Sequence, residues 1–249
     1  MSERPVPSER GVPYGTGGGL LDVHRPAGAS APSPTVLLWH GRGPDKRDAL
    51  APLAREAASL GLTVVVPGWH PDAPDGGLRD LLESVRFARE RAGGPGGGAG
   101  RVLLAGWSLG ARIAVDVMLR PDLVDGWRPM GVVGVAGRYD SGRPEAGIRA
   151  PEEELARRAV SPVPVHLVHG TADPVVPARR SREFAAALRR WDWPVAYTET
   201  GADHAGVVMT EYDPGRERSL PARTPRALEA GRLTARVLAR AAGLAAPPD

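Results

Sequence analysis

Ser108 is the residue whose local pattern most clearly indicates chemistry. It is the centre of Gly106-Trp107-Ser108-Leu109-Gly110, a G-x-S-x-G motif that follows the apolar run 102–104. Apolar residues then recur at helical spacing over 111–118, so the motif is predicted to join a buried strand to a helix. Such a turn projects the serine hydroxyl above the sheet edge, beside the free N–H groups of the helix start. The alternative is a plain strand-to-helix turn that contains a serine.

A serine hydroxyl needs a base to remove its proton, and histidine can do this near neutral pH when a carboxylate orients it. His204 lies in the glycine-flanked loop after the last predicted strand, and Asp173 follows another strand end. The predicted set is therefore Ser108, Asp173 and His204, in that chain order. Asp203 and Asp140 are rivals for the carboxylate, although Asp203, next to the histidine in sequence, is better suited to capping its loop.

Five further histidines are present: His24, His40, His70, His166 and His169. His40 and His169 each end a predicted strand just before a glycine, and we interpret them as hydrogen-bonding braces of loops. His70 is a loop residue that could reach a pocket, whereas His24 and His166 lie within strands and are interpreted as packing residues. No two histidines have the i, i+4 spacing of a helical zinc site, so neither a metal nor another cofactor is predicted.

The elements that must position these residues alternate between strand and helix along the chain. This pattern predicts an α/β fold with a mostly parallel central sheet and helices on both faces, and the chemistry at the carboxyl ends of the strands. We expect one domain over residues 1–249, with 1–18 as an irregular N-terminal arm. The connection over 137–162 is where a cap domain would be inserted, and it is short enough to predict little or no cap.

Three tryptophans fall at predicted strand ends beside the candidate site: Trp39, Trp69 and Trp107. If they line a pocket with His70, they favour a hydrophobic or aromatic group on a small-molecule substrate. Core packing beneath the loops is an equally good interpretation.

Composition excludes several classes of partner and chemistry. Lysine plus arginine total 32 against 29 acidic residues, a formal net charge of +3, and the arginines are scattered rather than arranged in a stripe. This pattern does not favour a nucleic-acid partner. The chain has no cysteine, which excludes disulfides and thiolate chemistry. No apolar run is long enough to span a bilayer and no signal core is evident, so a cytoplasmic protein without a membrane partner is the expectation.

These motifs together resemble the α/β-hydrolase superfamily. GWSLG resembles its nucleophile elbow, HGTADPVVP its acid loop, Gly201-Ala202-Asp203-His204 its histidine loop, and WHGRG its oxyanion loop after the third strand. The resemblance spans about residues 14–242 and is greatest to small carboxylesterases, feruloyl esterases and kynurenine formamidases. In that subgroup a second glycine more often follows His-Gly, where this chain has Arg42.

The resemblance implies that Ser108 attacks a carbonyl, that His204 transfers the proton and that Asp173 orients His204. It further implies an oxyanion hole formed by the backbone N–H of Leu109 together with that of Arg42, or of Gly41 next. The function expected is a carboxylesterase-like serine hydrolase acting through an acyl-enzyme. An acyl-thioesterase and an arylformamidase are the alternatives, and a non-catalytic binding protein with this fold is a further one.

Overall fold

The computed structural model describes residues 6–28, 33–94, 97–142, 148–157 and 160–245, and the side chains of all of these except 97–100. The strands of its large sheet are β1 (Ser8–Tyr14), β2 (Gly19–His24), β3 (Ser33–Trp39), β4 (Thr63–Pro67), β5 (Gly97–Trp107), β6 (Val132–Val135), β7 (Val165–Gly170) and β8 (Val195–Thr200). They pair in the order β1-β2-β4-β3-β5-β6-β7-β8. β1 and β4 both run antiparallel to β2, and the remaining neighbours are parallel. The mostly parallel sheet predicted from the sequence is therefore confirmed.

Helices cover both faces of this sheet, as predicted. They are α1 (Arg47–Ser59), α2 (Leu78–Gly93), α3 (Leu109–Leu119), α4 (Pro151–Arg157), α5 (Arg179–Arg190) and α6 (Pro225–Ala241). Leu81 of α2, Ile113 of α3 and Leu188 of α5 join one buried apolar cluster, whereas Leu50 of α1 and Leu238 of α6 join a second. The two clusters lie on opposite sides of the sheet because alternate strand residues point to opposite faces. Central strands such as β4, with every residue buried, are accordingly dominated by apolar residues.

The prediction of an irregular arm over residues 1–18 is wrong for Ser8–Tyr14, which form β1 at the sheet edge. Proline and glycine within this segment hide the alternation that marks a strand, and most of its side chains are exposed or half-buried. Pairing with β2 supplies the hydrogen bonds that keep it extended. Residues 1–5 of the predicted arm lie outside the described residues.

Between β8 and α6 the chain adds a small hairpin that the sequence does not predict. Its strands, β9 (Thr210–Asp213) and β10 (Arg218–Pro221), form a separate two-stranded sheet. In the connection from β6 to β7, the described residues contribute one short helix, α4, which fits the expectation of little or no cap domain. No helix within the described ranges is long and apolar enough to cross a membrane.

Candidate active site

Ser108 occupies a strained turn between β5 and α3. Its φ of 58° and ψ of −118° lie in a region that non-glycine residues rarely adopt. The surrounding structure holds this conformation: the Ser108 N–H donates to the Val135 carbonyl at 2.8 Å, and its carbonyl accepts from the N–H of Ala111 at 3.1 Å. The half-buried serine thus stands at the carboxyl end of β5, at the start of a helix.

The two glycines of the motif are required by close backbone contacts. A Cβ on Gly106 would lie 2.2 Å from the Gly110 carbonyl carbon, and a Cβ on Gly110 would lie 2.3 Å from the Trp39 carbonyl oxygen. Either contact is far shorter than van der Waals distance, so only glycine permits this approach of α3 to β5 and to the end of β3. The G-x-S-x-G pattern therefore has a physical cause in this chain.

Gly41 places the loop after β3 directly against the serine. A Cβ at this buried glycine would lie 2.9 Å from Ser108 Cβ and 3.4 Å from Ser108 Oγ. The loop is braced by His40, whose Nδ1 donates to the Gly41 carbonyl at 2.8 Å and whose Nε2 accepts from the Trp69 N–H at 3.3 Å. Burial lowers the pKa of His40 to about 4, so the ring is neutral and has one donor and one acceptor nitrogen, as these contacts require.

The backbone N–H groups of Leu109 and Arg42 belong to the residues that follow Ser108 and Gly41, which lie in close contact. Leu109 is the first residue of α3, where an N–H has no acceptor within the helix. The Arg42 N–H belongs to the same planar trans peptide as the Gly41 carbonyl, so it points away from the His40 ring. Among the described residues, neither N–H donates to a backbone carbonyl.

Asp173 and His204 are joined by a short hydrogen bond. His204 Nδ1 lies 2.7 Å from Asp173 Oδ2, and because a carboxylate only accepts, Nδ1 is the donor. The other oxygen, Oδ1, accepts from the N–H groups of Val175 and Val176, each at 2.8 Å. Burial alone would raise the pKa of Asp173, but hydrogen bonds from His169 and His204 outweigh it and hold that pKa well below its usual value. The carboxylate is therefore ionised and fixed at neutral pH.

The loop that carries His204 is fastened on two sides. On the β7 side, the Ala172 N–H donates to the Ala202 carbonyl at 3.1 Å, and a Cβ on Gly170 would lie 2.1 Å from that carbonyl oxygen. On the β5 side, Trp107 Nε1 donates to the His204 carbonyl at 2.9 Å, and the two rings lie 5.2 Å apart. The residue next to Ser108 thus holds the imidazole loop against the serine strand. Within the described residues, a direct hydrogen bond between Ser108 Oγ and His204 is not formed.

The two alternative carboxylates, Asp203 and Asp140, form other contacts. Asp203 Oδ1 accepts from the Gly206 N–H at 2.7 Å, which is the loop-capping contact predicted for it. Asp140 lies 2.8 Å from Arg138 Nε and 3.1 Å from Arg180 Nη2. Asp173 is accordingly the carboxylate that the structure brings to His204.

The predicted substrate-contact residues lie in different environments. Trp39 and Trp69 have no exposed surface; Trp39 Nε1 donates to Ser84 Oγ at 3.1 Å, and Trp69 Nε1 donates to the His40 carbonyl at 3.2 Å. Trp107 is 8% exposed and faces His204. His70 is exposed and contacts Asp80 at 2.8 Å. In this structure the packing interpretation therefore describes Trp39 and Trp69, and Trp107 is the tryptophan at the site.

Two residues beside the acid were not assigned a catalytic connection from the sequence. His169 Nε2 lies 3.2 Å from Asp173 Oδ2, and His169 Nδ1 lies 2.7 Å from Ser181 Oγ. A signal for Ser181 does exist, because it occupies the apolar stripe of α5 together with Phe184, Ala185 and Leu188. A polar side chain on such a stripe requires a buried partner.

No group of three or more histidine, aspartate or glutamate side chains among the described residues is arranged to hold a metal ion. What the site does contain is a strained serine, a glycine loop against it, and an imidazole held by an ionised carboxylate. These are the parts needed for nucleophilic attack on a carbonyl.

No protein-family model matches the sequence, and no curated protein matches it. Solved structures match over nearly the whole chain. Esterase 2 of Thermogutta terrifontis, phosphorylated by paraoxon, is 15% identical, covers 99% of this chain and 98% of its own, and superposes with a TM-score of 0.72. A thermostable esterase from Pseudomonas putida is 16% identical, with 98% and 85% covered and a TM-score of 0.71.

Brefeldin A esterase, described as a bacterial homologue of human hormone-sensitive lipase, is 20% identical. The match covers 97% of this chain and 79% of that esterase, with a TM-score of 0.68. At these identities the likeness concerns the fold. The chain has the α/β-hydrolase fold, as the resemblance of its motifs implied.

Proposed function

We propose that this protein is a serine hydrolase that cleaves a carboxylic ester of a small to medium-sized substrate through an acyl-enzyme intermediate. The observation that carries the proposal is the 2.7 Å hydrogen bond from His204 Nδ1 to Asp173 Oδ2 in a loop tied by Trp107 to the serine strand. This bond leaves Nε2 of the imidazole as the free base. The structural likeness to esterases adds support.

In this proposal Ser108 Oγ attacks the substrate carbonyl carbon while His204 Nε2 accepts the hydroxyl proton. The tetrahedral intermediate collapses, the bond to the alcohol breaks, and the protonated imidazole returns the proton to the leaving oxygen. Water then repeats the sequence on the acyl-enzyme, which releases the acid and free Ser108. Asp173 keeps its charge throughout and stabilises the imidazolium.

The oxyanion hole is proposed to consist of the backbone N–H groups of Leu109 and Arg42, with Gly41 as the second choice for the loop donor. The helix start supports the assignment of Leu109, and the peptide orientation set by His40 supports Arg42. Because only the backbone N–H of Arg42 is used, an arginine in place of the more common glycine is compatible with the role. Its side chain lies in solvent and pairs with Asp72.

The substrate is proposed to be accessible and of modest size. His204 keeps 13% of its side chain exposed and Ser108 is half-buried, so the reactive groups are reached from solvent. The described part of the β6–β7 connection adds only the short α4, which gives little cover for a long lipid chain. Trp107 offers an aromatic surface beside the imidazole and favours a hydrophobic or aromatic substituent.

A fluorophosphonate probe tests the nucleophile directly. The wild type should be labelled at Ser108, Ser108→Ala should remain unlabelled, and Ser59→Ala, which alters an exposed serine at the end of α1, should label like the wild type. p-Nitrophenyl acetate and butyrate, an aryl formamide and an acyl-thioester then rank the acyl bonds. Equal labelling of wild type and Ser108→Ala, or a folded protein without turnover on any of these substrates, would contradict the proposal.

A further inference from the structure

Asp173 is contacted by a second imidazole besides that of His204. His169, the penultimate residue of β7, places Nε2 3.2 Å from Asp173 Oδ2, the same oxygen that accepts from His204 Nδ1. Both the His169 and Asp173 side chains have no exposed surface. The acid of the site is therefore enclosed between two imidazoles and the two N–H groups of Val175 and Val176.

The partners of His169 assign its hydrogens. Nε2 faces two oxygens that only accept: Asp173 Oδ2, and the Val176 carbonyl at 2.8 Å. Nε2 therefore carries a hydrogen and donates. Nδ1 faces the Ser181 hydroxyl at 2.7 Å, which can donate to it. The single hydrogen on Nε2 is thus shared, with the shorter contact to the Val176 carbonyl and the longer one to Asp173 Oδ2, while Ser181 donates to Nδ1.

We propose that His169 is a positioning residue for the hydrolytic reaction: its Nε2–H, shared between the Val176 carbonyl at 2.8 Å and Asp173 Oδ2 at 3.2 Å, steadies the carboxylate from the side opposite His204, and the Ser181 hydroxyl fixes the tautomer that makes this possible. The inference rests on the proposed function. Ser181 lies in α5 and has no exposed surface. The contacts from Asp173 through His169 to Ser181 thus connect the proposed acid to a helix on one face of the sheet.

The second donor has an electrostatic consequence. A hydrogen bond to Oδ2 draws off part of the carboxylate charge that would otherwise stabilise the imidazolium of His204. Without His169, more of that charge acts on the proton that the imidazole takes up during the reaction, so the acidic limb of the rate profile should move to higher pH. At the same time Asp173 is less well fixed, which lowers the rate.

Other charged groups near this set are already paired. Glu199 lies opposite His169 in β8, where it is hydrogen-bonded by Arg182 Nε at 2.5 Å and by Tyr197 Oη at 2.5 Å. Asp203 caps the turn at Gly206. Neither changes in the variants below, so a shift in the pH profile reports on the contact between His169 and Asp173.

The test is the pH dependence of kcat/KM on a p-nitrophenyl ester. His169→Phe keeps the ring but removes the donor, and we expect kcat/KM to fall about tenfold and the acidic limb to move up by about half a pH unit or more. His169→Gln, which restores an N–H donor, should recover most of both effects. Ser181→Ala should shift the limb in the same direction by a smaller amount.

His166→Phe is the matched control, because His166 lies three residues earlier in the same strand and, among the described residues, forms no hydrogen bond with the site. It should leave the limb in place. A fall in kcat/KM for His169→Phe without movement of the acidic limb would show a merely structural role and overturn the inference. A pH profile of His169→Phe identical to that of the wild type would overturn it as well.

If His169→Phe does not fold, Ser181→Ala decides: an upward shift of the acidic limb supports the inference, and a wild-type limb overturns it. Failure of the proposed function is distinguishable, since in that case Ser108→Ala would retain turnover or fluorophosphonate labelling.

Discussion

The same dipeptide, His-Gly, lies at two strand ends of the sheet, and its histidine contacts different kinds of group at each. His40-Gly41 directly follows β3, and His169-Gly170 ends β7; both imidazoles have no exposed surface. His40 contacts backbone groups, namely the Gly41 carbonyl and the Trp69 N–H. His169 contacts a carboxylate, a carbonyl and a hydroxyl.

The glycines differ in the same way. Gly41 approaches the side chain of Ser108, whereas Gly170 approaches the backbone carbonyl of Ala202. The β3 strand end therefore places a peptide against Ser108, the proposed nucleophile, and the β7 strand end places an imidazole against Asp173, the proposed acid. What a buried histidine does depends on whether its ring faces the backbone or an ionised side chain.

The largest effect on kcat should come from replacing Asp173, the carboxylate that His169 contacts at the end of β7. In Asp173→Asn the side chain has one accepting oxygen and a donating amide, so it cannot serve His204, His169 and the two backbone N–H groups together. We expect kcat to fall about 10³–10⁴-fold, measured on a p-nitrophenyl ester with fluorophosphonate labelling as a second assay. A loss of less than about tenfold would show that another carboxylate orients His204.

Replacing Gly170 or Gly41 by alanine should have different effects at the two strand ends. Gly170→Ala would place Cβ 2.1 Å from the Ala202 carbonyl oxygen, which already accepts the Ala172 N–H, and we expect the free energy of unfolding to fall by about 3 kcal/mol or more. Gly41→Ala would place Cβ 2.9 Å from Ser108 Cβ, so the expected loss is mainly in kcat, about tenfold.

Urea unfolding and steady-state kinetics on both variants check this separation. If Gly41→Ala is destabilised as much as Gly170→Ala while its kcat stays at the wild-type value, the loop after β3 does not press on the nucleophile.

Much of the fold and site was predictable because the signals are local. The strained turn at Ser108 requires glycine on both sides, and the close contacts at Gly106 and Gly110 are the reason that the motif is visible in the sequence. Continuous apolar runs such as β4 predict buried parallel strands. β1 was missed because backbone pairing with β2, rather than its own side chains, keeps it extended.

The direction of the tryptophan side chains could not be predicted from their place at strand ends. Trp39 pairs in register with Gly106, so Trp107 lies one residue further along and points to the other face. Trp39 accordingly joins one apolar cluster and Trp107 the other. The contact between His169 and Asp173 likewise depends on a turn whose closure is set by bonds from Asp173 Oδ1 to Val175 and Val176, which no spacing rule specifies.

His40, the histidine that faces the backbone, should make the stability of the protein depend on pH. Burial lowers the pKa of His40 to about 4, below its value near 6.5 in the unfolded chain. The unfolded state therefore binds a proton first, and the contribution of His40, about 3 kcal/mol at most, is complete above about pH 6.5 and is lost as pH falls toward 4. His24 behaves alike, since burial lowers its pKa to about 4 as well.

His40→Asn keeps a donor for the Gly41 carbonyl but does not titrate. Its free energy of unfolding, measured in urea from pH 7 to pH 4, should decline about half as steeply as that of the wild type. An unchanged slope would mean that His40 is solvated and does not brace the loop as a neutral ring.

The smallest effect should come from the side chain of Arg42, although its backbone is proposed to act at the oxyanion. Arg42 and Asp72 form an ion pair in which both side chains are about two-thirds exposed, at 68% and 66%. Such pairs contribute about 0.5 kcal/mol or less, because water and salt screen them. Asp72→Asn should therefore lower the free energy of unfolding by about 0.5 kcal/mol or less. It should change kcat/KM by less than about twofold. A tenfold change in kcat/KM would instead indicate that the ion pair, and not His40 alone, holds the loop against Ser108.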